Sequence, residues 1–530
     1  MVEPQQAPRW WQTRLFVIAA TLIAIIPLLR PEIPPLVDLP GHMGRFRVQI
    51  AIADHPFLKE WYDFNWSLIG NLGIDLLIIP MAKLFGLELG VKLIVMAIPA
   101  LMVSGLLWIA REVHGRIPAT ALFALPLAYS YPFHFGFVNF ELSMVIALNL
   151  FALWLRMARL GHVRLRAAIF VPISCLLWLC HTFGWGTLGV LAFSAELVRQ
   201  HDAGHRWYKA LVRAGLACVP LALPMALMIF WRSGDHVGGQ TTDWFNWRAK
   251  IGWMVMVFRD RWELLDIASV AVVLMILVRA VRDPSIQYSR NLGLSAAFLL
   301  LVYILLPRIV FGSAYADMRL VPFMLAMAVI AIRPKTELSV LGTWVLATLG
   351  LTFFLVRIAA TTASFWIYAQ TYERELKALD HVPVGARLVS FVGEKCYGDW
   401  TASRLEHLPA IALERKMAYS NDQWSMAGAQ LLTTQYAKAK RYAHDPSEIV
   451  TAVQCPREWW RPISTSLARF PRDAFDYVWL IQPPAYDPRL ATGLVEIWRD
   501  GTSVLYKVDH SQPGPVVSDV ELRAPVFRQH

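Results

Sequence analysis

Apolar runs of about 20 residues, each long enough to cross roughly 30 Å of hydrocarbon, recur from Arg14 to Ala360 and then stop. With 56% hydrophobic residues, 17% charged residues and a mean hydropathy of +0.43, the 530-residue chain carries more apolar surface than a soluble core hides. It is expected to be mainly α: a polytopic transmembrane helical bundle over residues 1–365, followed by a small α/β domain over 366–530.

The formal charge of +11 sits mostly in short loops between the runs, as in Arg156 to Arg166 and Arg199 to Arg213. That distribution is the cytoplasmic bias of membrane topology, and it argues against a nucleic-acid partner. Eleven spans satisfy it: Leu15–Leu29, Val91–Ala110, Ala119–Tyr131, Phe140–Leu155, Ala167–Cys180, Gly184–Leu197, Leu211–Trp231, Leu264–Val278, Leu292–Leu306, Leu320–Ile332 and Leu338–Ile358. The first lacks a small-residue cleavage site and reads as a retained span. Leu68–Phe85, broken by Gly70, Asn71, Gly73, Asp75 and Pro80, reads as juxtamembrane or re-entrant, because counting it as a span would invert every later basic loop. The N-terminus is then cytoplasmic and the tail extracytoplasmic, with an outer loop over 31–88 and a bacterial inner membrane as the expected location.

In the tail, strands are expected at Ala386–Val392 and Asp476–Gln482, a helix around His407–Lys416, and a hairpin over Glu496–Val508 turning at Asp500-Gly501. Cys175, Cys180 and Cys218 fall in apolar runs, whereas Cys396 and Cys455 are the tail's two cysteines and form a disulfide if the compartment is oxidising. A helix lying at the membrane interface suits His42–His55.

The polar residues that stand out gather at expected outer ends of spans. Asp38 follows Pro34-Pro35 and precedes Leu39-Pro40-Gly41-His42, a stiffened approach to an ionisable pair, as an active-site loop requires; a solvated loop aspartate is the plainer reading. His42 either orients Asp38, meets a phosphate or sits at the interface, and Arg45 and Arg47 meet substrate or lipid phosphate. Tyr129 to Glu141 brings His134, Asn139 and Glu141 to the start of a span, where an acid is costly unless paired or functional. His181 either lines the same cavity or caps its turn. Arg308 and Arg319 suit a lipid-linked phosphate, or else snorkel, or in the case of Arg319 pair locally with Asp317. No CxxC, HExxH, DxD or Walker pattern occurs, so neither a metal nor a nucleotide is expected.

The early outer aspartate in Val37-Asp-Leu-Pro-Gly-His42, the second acidic outer segment ending at Glu141, and the outer tail together resemble the GT-C superfamily of integral membrane glycosyltransferases. The resemblance implies transfer of a sugar from a polyprenyl-phosphate donor to a glycan, lipid or protein acceptor on the outer face. It makes Asp38 the general base, Glu141 the second acid, and no cofactor beyond the lipid-linked substrate. Departing from the acidic pair common in that superfamily, Leu39 follows Asp38, which argues against a metal-dependent variant. The alternative is a lipid or glycan transporter or flippase, which binds near the bilayer midplane through broken helices.

Overall fold

The computed structural model describes residues 8–232, 239–335, 339–396, 398–425, 430–456 and 460–517. The protein is mainly helical with a small sheet region, and it divides into two compact units. One comprises Met1–Arg30, Leu68–Leu77 and Lys92–Phe365; the other comprises Pro31–Ser67, Ile78–Val91 and Trp366–His530.

Among the described residues of the first unit and its continuations, five helices are long and apolar enough to cross a membrane: Leu87–His114, Val138–Arg159, Val163–Cys180, Glu263–Arg282 and Val340–His381. A sixth is present if Trp207–Leu221 and Leu223–Ile229, bent by 66°, count as one. Arg14–Leu28, Arg290–Leu305 and Met318–Ile330 are shorter apolar helices. Ala119–Tyr129 forms a 3₁₀ helix that is buried along its whole length. Gly73–Phe85 is helical over 13 residues, about 20 Å at 1.5 Å per residue. Leu338, the expected start of the last span, lies outside the described residues.

Three buried ion pairs lie inside this unit among the described residues. Arg166 and Glu196, both about 1% exposed, pair at 2.7 Å. Arg357 meets Asp266 at 2.6 Å, and Lys250 meets Asp317 at 3.1 Å while donating to the Tyr303 and Leu306 carbonyls. A buried ion is tolerated only when its partner and hydrogen bonds are in place. Asp317 thus has as its partner Lys250, a cation 67 positions away in sequence.

The second unit is built on a six-stranded mixed sheet. Its own strands are β1 (Tyr62–Phe64), β2 (Leu388–Gly393), β3 (Leu432–Thr434), β4 (Ile449–Thr451), β5 (Arg461–Pro462), β6 (Tyr477–Ile481), β7 (Leu494–Asp500) and β8 (Ser503–Val508). The sheet order is β5-β4-β2-β6-β8-β7, parallel from β5 to β6 and antiparallel thereafter, while β1 and β3 form a separate antiparallel pair. The central strands read Leu-Val-Ser-Phe-Val and Tyr-Val-Trp-Leu-Ile, near-continuous apolar runs of the kind that a sheet covered on both faces needs. The expected strands and the Asp500-Gly501 hairpin fall where these lie, and the helix begins at Ala410, after Pro409.

The segment Pro31–Ser67 belongs to this sheet's core. Val48, Leu58, Trp61 and Tyr62 are buried in one cluster with Val389, Phe391, Leu413, Tyr419 and Val478. The interfacial helix expected at His42–His55 is instead a packed helix, Leu39–Ala51, with nine buried positions and its face against Ala410–Lys416. Two glycines permit that closeness: a Cβ on Gly44 would lie 3.1 Å from the Ala410 carbonyl, and one on Gly41 would lie 2.4 Å from the Trp424 ring. Cys396 and Cys455, 59 positions apart, are joined by a disulfide.

Candidate functional site

In the second unit, the approach to Asp38 is held from below. The fully buried Arg404 donates from Nη1 to the Pro35 carbonyl at 2.6 Å, lies 4.5 Å over the Tyr368 ring, and its own carbonyl accepts from the Tyr372 hydroxyl at 2.5 Å. Asp38 then stands at the N-cap of the Leu39–Ala51 helix with αR backbone angles, and its side chain makes no capping bond. An aspartate at this position ordinarily satisfies an orphan N–H of the first turn. Here its carboxylate Oδ1 instead lies 4.0 Å from Nε2 of His407.

Around that contact is a set of carboxyl groups. Burial, and then the Glu394, Asp38 and Asp445 carboxylates, hold Glu406 well above the ordinary range. Burial pushes Asp422 up to about 7, opposed by a hydrogen bond from Ser420 at 2.8 Å. Burial lowers the His407 imidazole below its usual value, so near neutral pH it faces Asp38 as a neutral ring. Trp424 covers the region, its ring 4.7 Å from that of His407 and 5.2 Å from that of His42. Gln423 ties the loop to the Asp38 helix by donating to the Gly41 carbonyl at 3.1 Å. Asn421 links the same loop to Ser390 on β2 and to Ser447. Chemically, a carboxylate that makes no cap bond and lies beside a neutral imidazole is equipped to accept a proton.

The remaining residues of this unit have other duties. Arg45 is buried with its guanidinium 4.9 Å over Phe46. Arg47 pairs with Glu414 at 2.8 Å and also donates to that residue's carbonyl at 2.7 Å.

In the first unit, Glu141 lies in the first turn of Val138–Arg159, and its charge interacts with that of Arg319, as does His181. The Arg319 guanidinium stacks 3.9 Å over Phe137 and donates to Ser313 Oγ and the Ala314 carbonyl at 3.3 Å. His181 Nδ1 accepts from the Phe183 N–H at 3.1 Å, which is the capping role. Asn139 is a latch: its Oδ1 accepts from Ile74 N–H at 2.7 Å, while its Nδ2 donates to the Asn71 carbonyl and to Asp75 at 3.1 Å. With its amide committed in this way, Asn139 holds two chain segments together. Arg308 pairs with Asp243 at 2.7 Å, so its charge is already matched.

Sequence reasoning did not find Glu406, His407, Asp422, Asp445, Glu448 or Trp424. The available signals were the adjacent Glu406-His407, the polar run Ser420-Asn-Asp-Gln-Trp424 and the spacing Asp445-Pro-Ser-Glu448. Compared with protein-family models, curated proteins and solved structures, the chain matches none of them.

Proposed function

We propose that this chain is an integral membrane glycosyltransferase of the GT-C type, moving a sugar from a polyprenyl-phosphate donor to an acceptor on the outer face of the membrane. The reading takes the eleven-span topology, counts the short and bent apolar helices among the spans, and places the second unit outside the cytoplasm. Asp38 removes the proton from the acceptor hydroxyl as that oxygen attacks the anomeric carbon; the bond from that carbon to the lipid phosphate breaks, and the phosphate leaves with the bonding electrons. A hydroxyl is a weak nucleophile near neutral pH, so the base supplies an essential part of the rate.

The observation that carries the reading is the Asp38 side chain, which forgoes its helix cap and faces His407. For the donor phosphate the reading keeps Arg319, whose planar guanidinium is oriented by stacking on Phe137. Arg308 is a weaker candidate because Asp243 already offsets its charge. Glu141 remains the second acid of the proposal. The test is transfer from radiolabelled polyprenyl-phosphate sugars by the purified chain in lipid. Product formation that depends on Asp38 supports the reading, and uptake into vesicles without product supports a transporter.

A further inference from the structure

His407, Asp445 and Glu448 each present one ligand atom, and the three atoms lie within 4.8 Å of one another. Ligand atoms bound about 2.1 Å from a first-row cation sit roughly 3 to 4 Å apart, so side-chain movements of less than about 1 Å would close the set. We propose that these three residues bind a divalent first-row cation, Zn²⁺ or Mn²⁺, within the second unit.

An independent observation points to a ligand here. Glu448 has 0% exposure, and neither carboxylate oxygen has a hydrogen-bond donor among the described residues. The group it faces is another carboxylate, Asp445, with Asp422 close behind. Buried carboxylates are normally satisfied by donors or cations, and two placed together are stable only with a proton or a cation between them. An imidazole completes the set. One nitrogen and two oxygens form a mixed donor set that suits Zn²⁺ or Mn²⁺ better than Mg²⁺ or Ca²⁺, which favour all-oxygen shells. The remaining coordination positions would be open to water or substrate. The three residues come from the segment before the Ala410–Lys416 helix and from the turn leading into β4, so the fold of this unit alone brings them together. The proposal shares His407 with the transferase reading but does not rest on it.

The test uses the full-length chain, purified in detergent and stripped with a chelator. Zn²⁺ and Mn²⁺ are titrated separately by calorimetry, and bound metal is counted by mass spectrometry after desalting. The expected result is one equivalent of one of these ions on the wild type, with affinity reduced at least tenfold in His407→Ala and in Glu448→Gln. Glu448→Gln is nearly isosteric and keeps the region folded, as its melting temperature without metal should confirm. Absence of binding at millimolar metal overturns the proposal, as does equal binding by both variants. A rise in metal-free stability of Glu448→Gln without any metal binding by the wild type would assign the site to a shared proton and would equally overturn it.

Discussion

Nε2 of His407 lies 4.0 Å from Oδ1 of Asp38, although 369 positions separate the two residues. The contact exists because Arg404 fixes the Pro35 carbonyl and Gln423 fixes the Gly41 carbonyl, one on each side of Asp38 in sequence. The aspartate is positioned by its backbone, and its side chain makes no capping bond.

Asp38→Asn should abolish sugar transfer while leaving the fold intact. Because the carboxylate makes no cap bond, the substitution should cost less than the roughly 0.5–2 kcal/mol usual for losing a capping side chain. Transfer assays and thermal unfolding on the same preparation check both halves. Near-normal turnover would remove Asp38 from the mechanism.

Gly41→Ala places a methyl group 2.4 Å from the Trp424 ring, so the ring must move. Overpacking of this kind costs about 1–3 kcal/mol. Trp424→Ala makes room, so the double variant should lose less than the sum of the two single losses in a thermal-unfolding cycle. Additive losses would mean that the two groups do not meet.

Burial first, and then the neighbouring Glu88 carboxylate, push Glu414 up to about 7 despite its pairing with Arg47. Its folded pKa thus exceeds its unfolded value of about 4.3. Between these two values the folded state holds a proton that the unfolded state has released, so stability falls as pH rises through that window and is level above it. The slope from this one group is at most about 1.4 kcal/mol per pH unit. Denaturation followed from pH 4.5 to 8 should show the decline, and Glu414→Gln should flatten it. An unchanged slope in that variant would assign the effect to other groups.

Replacing Asn139 with Ala removes the acceptor of the Ile74 N–H and one donor to the Asp75 carboxylate. A buried N–H so orphaned costs about 1–3 kcal/mol. A lowered melting temperature with an unchanged KM for the donor is the signature of the latch, whereas a raised KM at unchanged stability would restore the residue to the substrate cavity.

Converting Cys396 and Cys455 together to Ser should destabilise the second unit by about 2–4 kcal/mol, since the disulfide closes a loop across 59 positions. Unfolding with and without reductant provides the measurement. An equal midpoint for wild type and variant in the absence of reductant would show that the bond contributes nothing.

Local signals were legible where structure is local. Continuous β-branched and aromatic runs marked β2 and β6, Asp500-Gly501 marked the hairpin, and the tail's two cysteines marked the disulfide. Apolar runs marked the five long helices, two of which continue through Pro99 and Pro172, whereas the runs containing Pro126, Pro220, Pro224 or Pro322 became shorter, bent or 3₁₀ segments. What the chain did not disclose is pairing at long range. Nothing near Asp317 names Lys250, nothing near Arg308 names Asp243, and no spacing rule joins His407 to Asp445 and Glu448. The helix after Asp38 was misjudged for the same reason. Its mixed polarity suits a membrane surface, but Gly41 and Gly44 are there to admit Trp424 and Ala410.

The Tyr62 hydroxyl donates to the Ser420 carbonyl and accepts from the Ser420 N–H, a partner 358 positions later. At a synthesis rate of 5–20 residues per second, the strand and helix around Tyr62 emerge roughly 20 to 70 seconds before the chain that completes them. Throughout that interval Trp61, Tyr62 and Val48 have no core to enter. The newborn segment must be shielded, and a tail expressed without it would be born with a gap in its interior.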